Sequence, residues 1–232
     1  MATMAGRSPR MRADDVFFPA MALLVFAIVV TGFGKSYFLA GMIRAQLPNR
    51  LVHIHGAVFI LWIFLLVAQA CLVSAHKVKW HMRLGVLSLV LLPSMSILGS
   101  LMLIDFIRRA QPDEGPEMLL VGDMEILILF LVLTSWGLLV RRDSASHKRL
   151  MILGTMAIMG PAIGRWNAGI PVTLCVIFAL PLFVLAYDLW ALRRVHRTTM
   201  AAVFLTAAWV FTLVPFSRLA VWRHCVEWIR HT

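Results

Sequence analysis

Charge is what this chain has least of. Only 14% of its 232 residues are Asp, Glu, Lys or Arg, 61% are hydrophobic, and the mean hydropathy is +0.85. A soluble domain of this length needs far more polar surface, so the composition places the chain in lipid. Cysteine is sparse too: Cys71, Cys175 and Cys225 lie far apart, with no C-x-x-C pair and no even-numbered set. They read as buried thiols, which excludes a disulfide framework and a structural zinc site. The polar stretches between apolar runs are too short to hold a soluble domain. Acid is the scarcer sign, at 11 residues against 22 basic ones, for a net charge of +11. An excess of that size can mark a nucleic-acid binder, yet Lys and Arg fall in short clusters between apolar runs. That is the pattern of loops facing an anionic bilayer, so nucleic acid is rejected as a partner.

What is abundant is long apolar runs. A membrane-spanning helix needs about 20 mostly apolar residues. Seven segments approach this: 17–38, 51–75, 84–107, 118–140, 150–164, 167–187 and 198–219. They predict an all-α integral membrane protein, one bundle of about seven transmembrane helices over 17–220. Residues 1–16 are then a cytoplasmic segment and 221–232 a short tail. The basic start resembles a signal sequence, but the first run is long for one and no small-x-small cleavage site follows, so an uncleaved helix is expected. With the N-terminus inside, 13 of the 22 Lys and Arg fall on the cytoplasmic side, which favours that orientation.

Residues Leu51 to Gly85 carry ionisable groups at both rims of one membrane-length segment. On the outer rim stand His53 and His55, with Asp105, Asp123, Glu125, Arg165 and Asn167 at the matching ends of other segments. A carboxylate inside a spanning helix costs about 2.5–3.5 kcal/mol on insertion scales, so it faces the bundle and finds partners. Imidazole beside carboxylate suits a divalent transition metal or a proton relay. Residues two apart on a helix point about 200° apart, so neither His53 with His55 nor Asp123 with Glu125 forms a ready-made ligand pair. The deeper members, His55 with Glu125, make the preferred pair, supported by Arg165, Asn167, Asp105 and Gln69. The competing reading is an interfacial salt-bridge cluster in which Arg165 pairs with an acid.

On the inner rim, His81, Arg83, His147 and Arg149 read mainly as anchors in anionic headgroups or at a quinone. Haem on His81 and His147 is less favoured, because both precede their apolar runs. His81-Met82-Arg83-Leu84 and His147-Lys148-Arg149-Leu150 also form a weak internal repeat, as duplicated helix pairs would. Segment 150–164 is short and carries Gly154, Gly160, Pro161 and Gly164. Such segments line binding cavities in transporters, and Gly160-x-x-x-Gly164 equally permits close helix packing.

Ser36-Tyr37, His53-Ile54-His55-Gly56, Trp62, Gln69 and His81-Met82-Arg83-Leu84-Gly85 together resemble a group of uncharacterised bacterial multi-pass membrane proteins with an H-x-H-G…W…Q…H-x-R-L-G pattern. The resemblance implies a protein of the bacterial cytoplasmic (inner) membrane and brings no activity with it. It singles out His53, His55, Gln69 and His81. Three function classes follow. One is an outer-half His/carboxylate pocket that binds a metal ion or relays protons in redox or transport work. Another is a non-catalytic accessory or assembly subunit of a larger membrane complex, or a homo-oligomer. The third is an intramembrane hydrolase with metal-activated water, against which the 200° spacing counts.

Overall fold

A computed structural model describes residues 9–39, 49–111 and 115–231. Every regular element among them is helical. Helix α1 (Pro9–Phe33) continues into one π-helical turn, Gly34–Phe38. Then come α2 (Arg50–Ser74), α3 (Val78–Gly85), α4 (Ser88–Arg109), α5 (Pro116–Leu139), α6 (Ser144–Ala157) and α7 (Gly160–Gly164). The chain finishes with α8 (Ile170–Leu192), α9 (Arg197–Ser217) and α10 (Ala220–His231).

Local signals set these boundaries. Asn49 caps α2 by accepting from the Val52 backbone N–H at 3.2 Å. Asp143 caps α6, accepting from Ala145 at 3.0 Å and Ser146 at 3.4 Å. Gly115, in the left-handed region at φ 63°, and Pro116 open α5.

Six helical stretches are long and apolar enough to cross a membrane: Ala13–Phe38, Arg50–Ser74, Val78–Arg109, Pro116–Leu139, Ile170–Leu192 and Arg197–Ser217. They correspond to six of the seven expected segments. The third is longer than expected because α3 extends it through Lys79, His81 and Arg83, with a break at Val86–Leu87. The remaining segment, expected at 150–164, is the pair α6–α7. It begins earlier, at Ser144, and is interrupted at Ile158–Met159. The start of the expected cytoplasmic segment, residues 1–8, lies outside the described residues. The expected C-terminal tail is helical: Val226 and Ile229 of α10 bury against Ile107 and Leu120, and Arg230 donates to the Ala110 carbonyl at 2.6 Å.

One end of the bundle holds the start of α1, the ends of α2, α5 and α8, and the starts of α3, α6 and α9; we call it proximal. The distal end holds the start of α2, the end of α4, α7 and α10. Between them α6–α7 forms the axis, enclosed by α1, α5, α8 and α9. Leu150, Ile152, Leu153, Thr155, Met156, Ala162 and Ile163 are all buried. Glycines allow that enclosure. A Cβ at Gly154 would stand 2.7 Å from Thr134 Cγ2, and one at Gly32 would stand 2.2 Å from the Ala162 carbonyl oxygen. The expected Gly160-x-x-x-Gly164 contact is not where helices close up: a Cβ at Gly160 meets nothing nearer than 3.9 Å, and one at Gly164 nothing within 4 Å.

Candidate functional site

Seven residues advance a helix by about 10.5 Å and return it to within about 20° of the same direction. His55, Trp62 and Gln69 therefore share one face of α2, and Asp123, Phe130 and Gly137 share one face of α5. The middle members touch: the Trp62 and Phe130 rings lie 5.3 Å apart at 86°. Both helices start at the distal end, α2 beside Asp105 of α4 and α5 beside α10. With one contact fixing the level and both helices running the same way, His55 stands level with Asp123, and Gln69 with Gly137. The interior thus carries polar groups at three depths.

At the middle depth the polar groups are satisfied. The Trp62 indole N–H donates to Thr155 Oγ1 at 3.1 Å, and Thr155 donates on to the Met151 carbonyl at 2.9 Å. Both residues are buried, so each bond spares a donor the full desolvation cost.

At the distal depth they are not. His55 stacks on Phe59 at 4.0 Å and faces the Leu98 backbone, yet its Nδ1 is buried without a hydrogen-bond partner. The Arg165 guanidinium acts electrostatically on both His55 and Asp123. It is held by donation to the Pro161 carbonyl at 2.6 Å and by the Phe33 ring at 4.3 Å. Glu125, the acid expected to join His55, is turned about 200° from Asp123 around α5. Its Oε2 is also buried and unpartnered. Arg165 is thus the group that His55 and Asp123 share, and no described contact joins His55 directly to either acid of α5. No described ion pair joins Arg165 to either acid, although an Arg165 salt bridge was the expected competitor.

The other outer-rim candidates have separate duties. His53 is exposed and meets the Tyr37 hydroxyl through Nδ1 at 3.2 Å. Asp105 accepts from Asn49 at 2.9 Å and from Arg109 at 2.6 Å, which ties the start of α2 to the end of α4. Asn167 is an exposed turn residue at φ 54°.

The proximal depth holds what the sequence reading missed. Arg149, expected as a headgroup anchor, is 1% exposed, and Asp188 is fully buried. Arg149 Nε donates to Asp188 Oδ1 at 2.9 Å, and its Nη2 reaches the same oxygen. Asp188 Oδ2 accepts from Thr199 Oγ1 at 2.6 Å and from the His196 backbone N–H at 3.1 Å, joining α6, α8 and α9. Beside this pair, Lys148 bonds Asp14 at 2.6 Å and Asp14 accepts from the Tyr187 hydroxyl at 2.7 Å. Arg149 cannot serve a headgroup because α6 starts early enough to carry it inside the helix cluster. Arg83, its counterpart in the repeat, is exposed and lies over the Trp80 ring. Gln69, His81 and His147 complete this level. Both Gln69 amide atoms and His81 Nδ1 are buried without partners, while His147 Nδ1 pairs with the Gly137 carbonyl at 2.8 Å.

Among the described residues, no three of His, Cys, Asp and Glu converge to hold a metal ion. No family model, curated protein or solved structure matches the chain.

Proposed function

We propose that the protein relays protons through the distal pocket of His55, Asp123 and Arg165, in redox or transport work. In this reading it is a bundle of seven membrane segments, α6–α7 being the seventh, in a bacterial cytoplasmic membrane. The N-terminus and the proximal end face the cytoplasm, in keeping with the excess of Lys and Arg there. The observation that carries the reading is the buried, unpartnered Nδ1 of His55, with one cation, Arg165, acting on both His55 and Asp123. A polar atom kept without a partner inside a membrane segment costs free energy that folding alone does not return. Glu125, with its own unpartnered Oε2, is the next group along α5 able to take a proton. Protons fit better than a metal ion as cargo because two donors and a cation do not make a divalent site.

Proton flux into liposomes carrying a trapped pH-sensitive dye tests this. The wild-type chain is expected to acidify the lumen under an imposed potential, and His55→Ala and Asp123→Asn to slow it at least about tenfold. Wild-type flux no faster than that of empty vesicles ends the reading.

A further inference from the structure

His81 is the fourth residue of α3 and His147 the fourth of α6. Each helix follows a longer one after a short loop, so the two histidines occupy equivalent places in the repeated pairs α2–α3 and α5–α6. In three dimensions they meet, with ring centroids 6.2 Å apart and planes at 83°. We propose that His81 and His147 are the two axial ligands of a haem at the proximal end, a cofactor site separate from the distal proton pocket.

The spacing fits. Two imidazoles on opposite sides of one first-row metal, each with a metal–nitrogen bond of about 2.0–2.1 Å, place their ring centres about 6 Å apart. Haem asks the protein for only two donors on facing helices, so the want of a three-residue donor group does not bear on it. His147 is oriented as metal-bound histidines are. Its Nδ1 donates to the Gly137 carbonyl at 2.8 Å, which fixes the ring and leaves Nε2 for iron. His81 faces the Gln69 backbone with its ring, and its Nδ1 has no partner. The neighbouring Gln69 amide has both of its polar atoms buried and unpartnered. Next to that amide stands Gly85, where even an added Cβ would remain 3.6 Å from Gln69 Nε2. The Gln69 amide is the side chain that a macrocycle would meet there. Exposed Lys79 and Arg83 share this end and suit the propionates, which seek cations at the water boundary. A bound haem would supply a one-electron carrier at this rim. Depth counted against the pair when both histidines read as loop residues, but α3 and α6 are helical through them.

Absorbance and pyridine haemochrome assays on chain purified from cells supplied with haem precursor decide the matter. About one haem per chain is expected, with a low-spin bis-imidazole spectrum. His81→Ala and His147→Ala should each lose it at least about tenfold, while His147→Met keeps haem with an altered axial-ligand spectrum. Circular dichroism and elution volume report folding separately in each variant. Wild-type chain that takes up no haem, even after incubation with hemin, overturns the proposal. So does haem retained unchanged by both alanine variants.

Discussion

Two clusters of ionisable groups, one near each end of the bundle, are treated in opposite ways. At the proximal end the acids are occupied: Asp188 serves Arg149, Thr199 and the His196 backbone, and Asp14 serves Lys148 and Tyr187. At the distal end His55 and Glu125 each keep a buried atom without a partner. Fully bonded charges fix a structure, whereas unspent ones are free to bind something. The contrast separates a clamp joining α1, α6, α8 and α9 from the distal groups that the proposed relay would use.

The strongest blow to this contrast falls on the clamp. Arg149→Ala strands a buried Asp188 and should cost about 3–5 kcal/mol. Replacing both partners with apolar residues of similar volume should recover most of that loss. Thermal unfolding in detergent of the two single variants and the double variant reads the difference. If the double falls as far as the singles, the pair is not a clamp.

His55→Ala should do the reverse, stopping proton flux at least about tenfold while costing less stability than Arg149→Ala, because it strands no buried charge. Equal destabilisation by His55→Ala and Arg149→Ala would erase the distinction between the ends. The middle depth should fall between them. Trp62→Phe removes the bond to Thr155 and should lower stability by about 1–2 kcal/mol with flux largely kept, as unfolding and dye assays on the same preparation would show.

The smallest effect belongs to the α6 cap. The Ser146 hydroxyl, and then the Ser146 and Ala145 backbone N–H groups, hold the Asp143 carboxyl below its usual range. A depressed folded pKa stabilises above the unfolded value of about 3.9 and loses that benefit as pH falls through the folded value. Asp143→Ala should therefore cost about 1 kcal/mol at neutral pH and nothing once the pH is well below 4. A stability gap that persists in acid would show that the cap does not act through its charge.

Apolar length made most of the architecture legible. Six expected segments match the long helices to within a few residues at most ends, since a bilayer-length run has few other ways to satisfy its backbone. The exception was 150–164, where the real helix starts with Ser144-Ala145-Ser146-His147-Lys148-Arg149. A hydropathy reading ends at such residues, but tertiary partners shelter them here. Asp188 was missed for the same reason: it lies one residue beyond the expected end of segment 167–187, where an acid reads as a rim residue. Its partner is 39 positions away, out of reach of any local pattern. The levels of the interior, by contrast, were legible: the spacings 55/62/69 and 123/130/137 are in the sequence, and the Trp62–Phe130 contact sets the two series side by side.

The enclosure of α6–α7 bears on how the chain is made. Helices are delivered to the membrane in order, and each must find lipid or protein tolerable when it arrives. A segment opening with His147, Lys148 and Arg149 is poorly suited to wait alone in lipid, and its ion partner Asp188 is not yet synthesised. Its closest neighbour at that moment is α5, against which Gly137 and Gly154 let it seat closely. On the proposed seven-segment reading, the α5–α6 hairpin is the expected unit of insertion, completed when α8 brings Asp188 to Arg149.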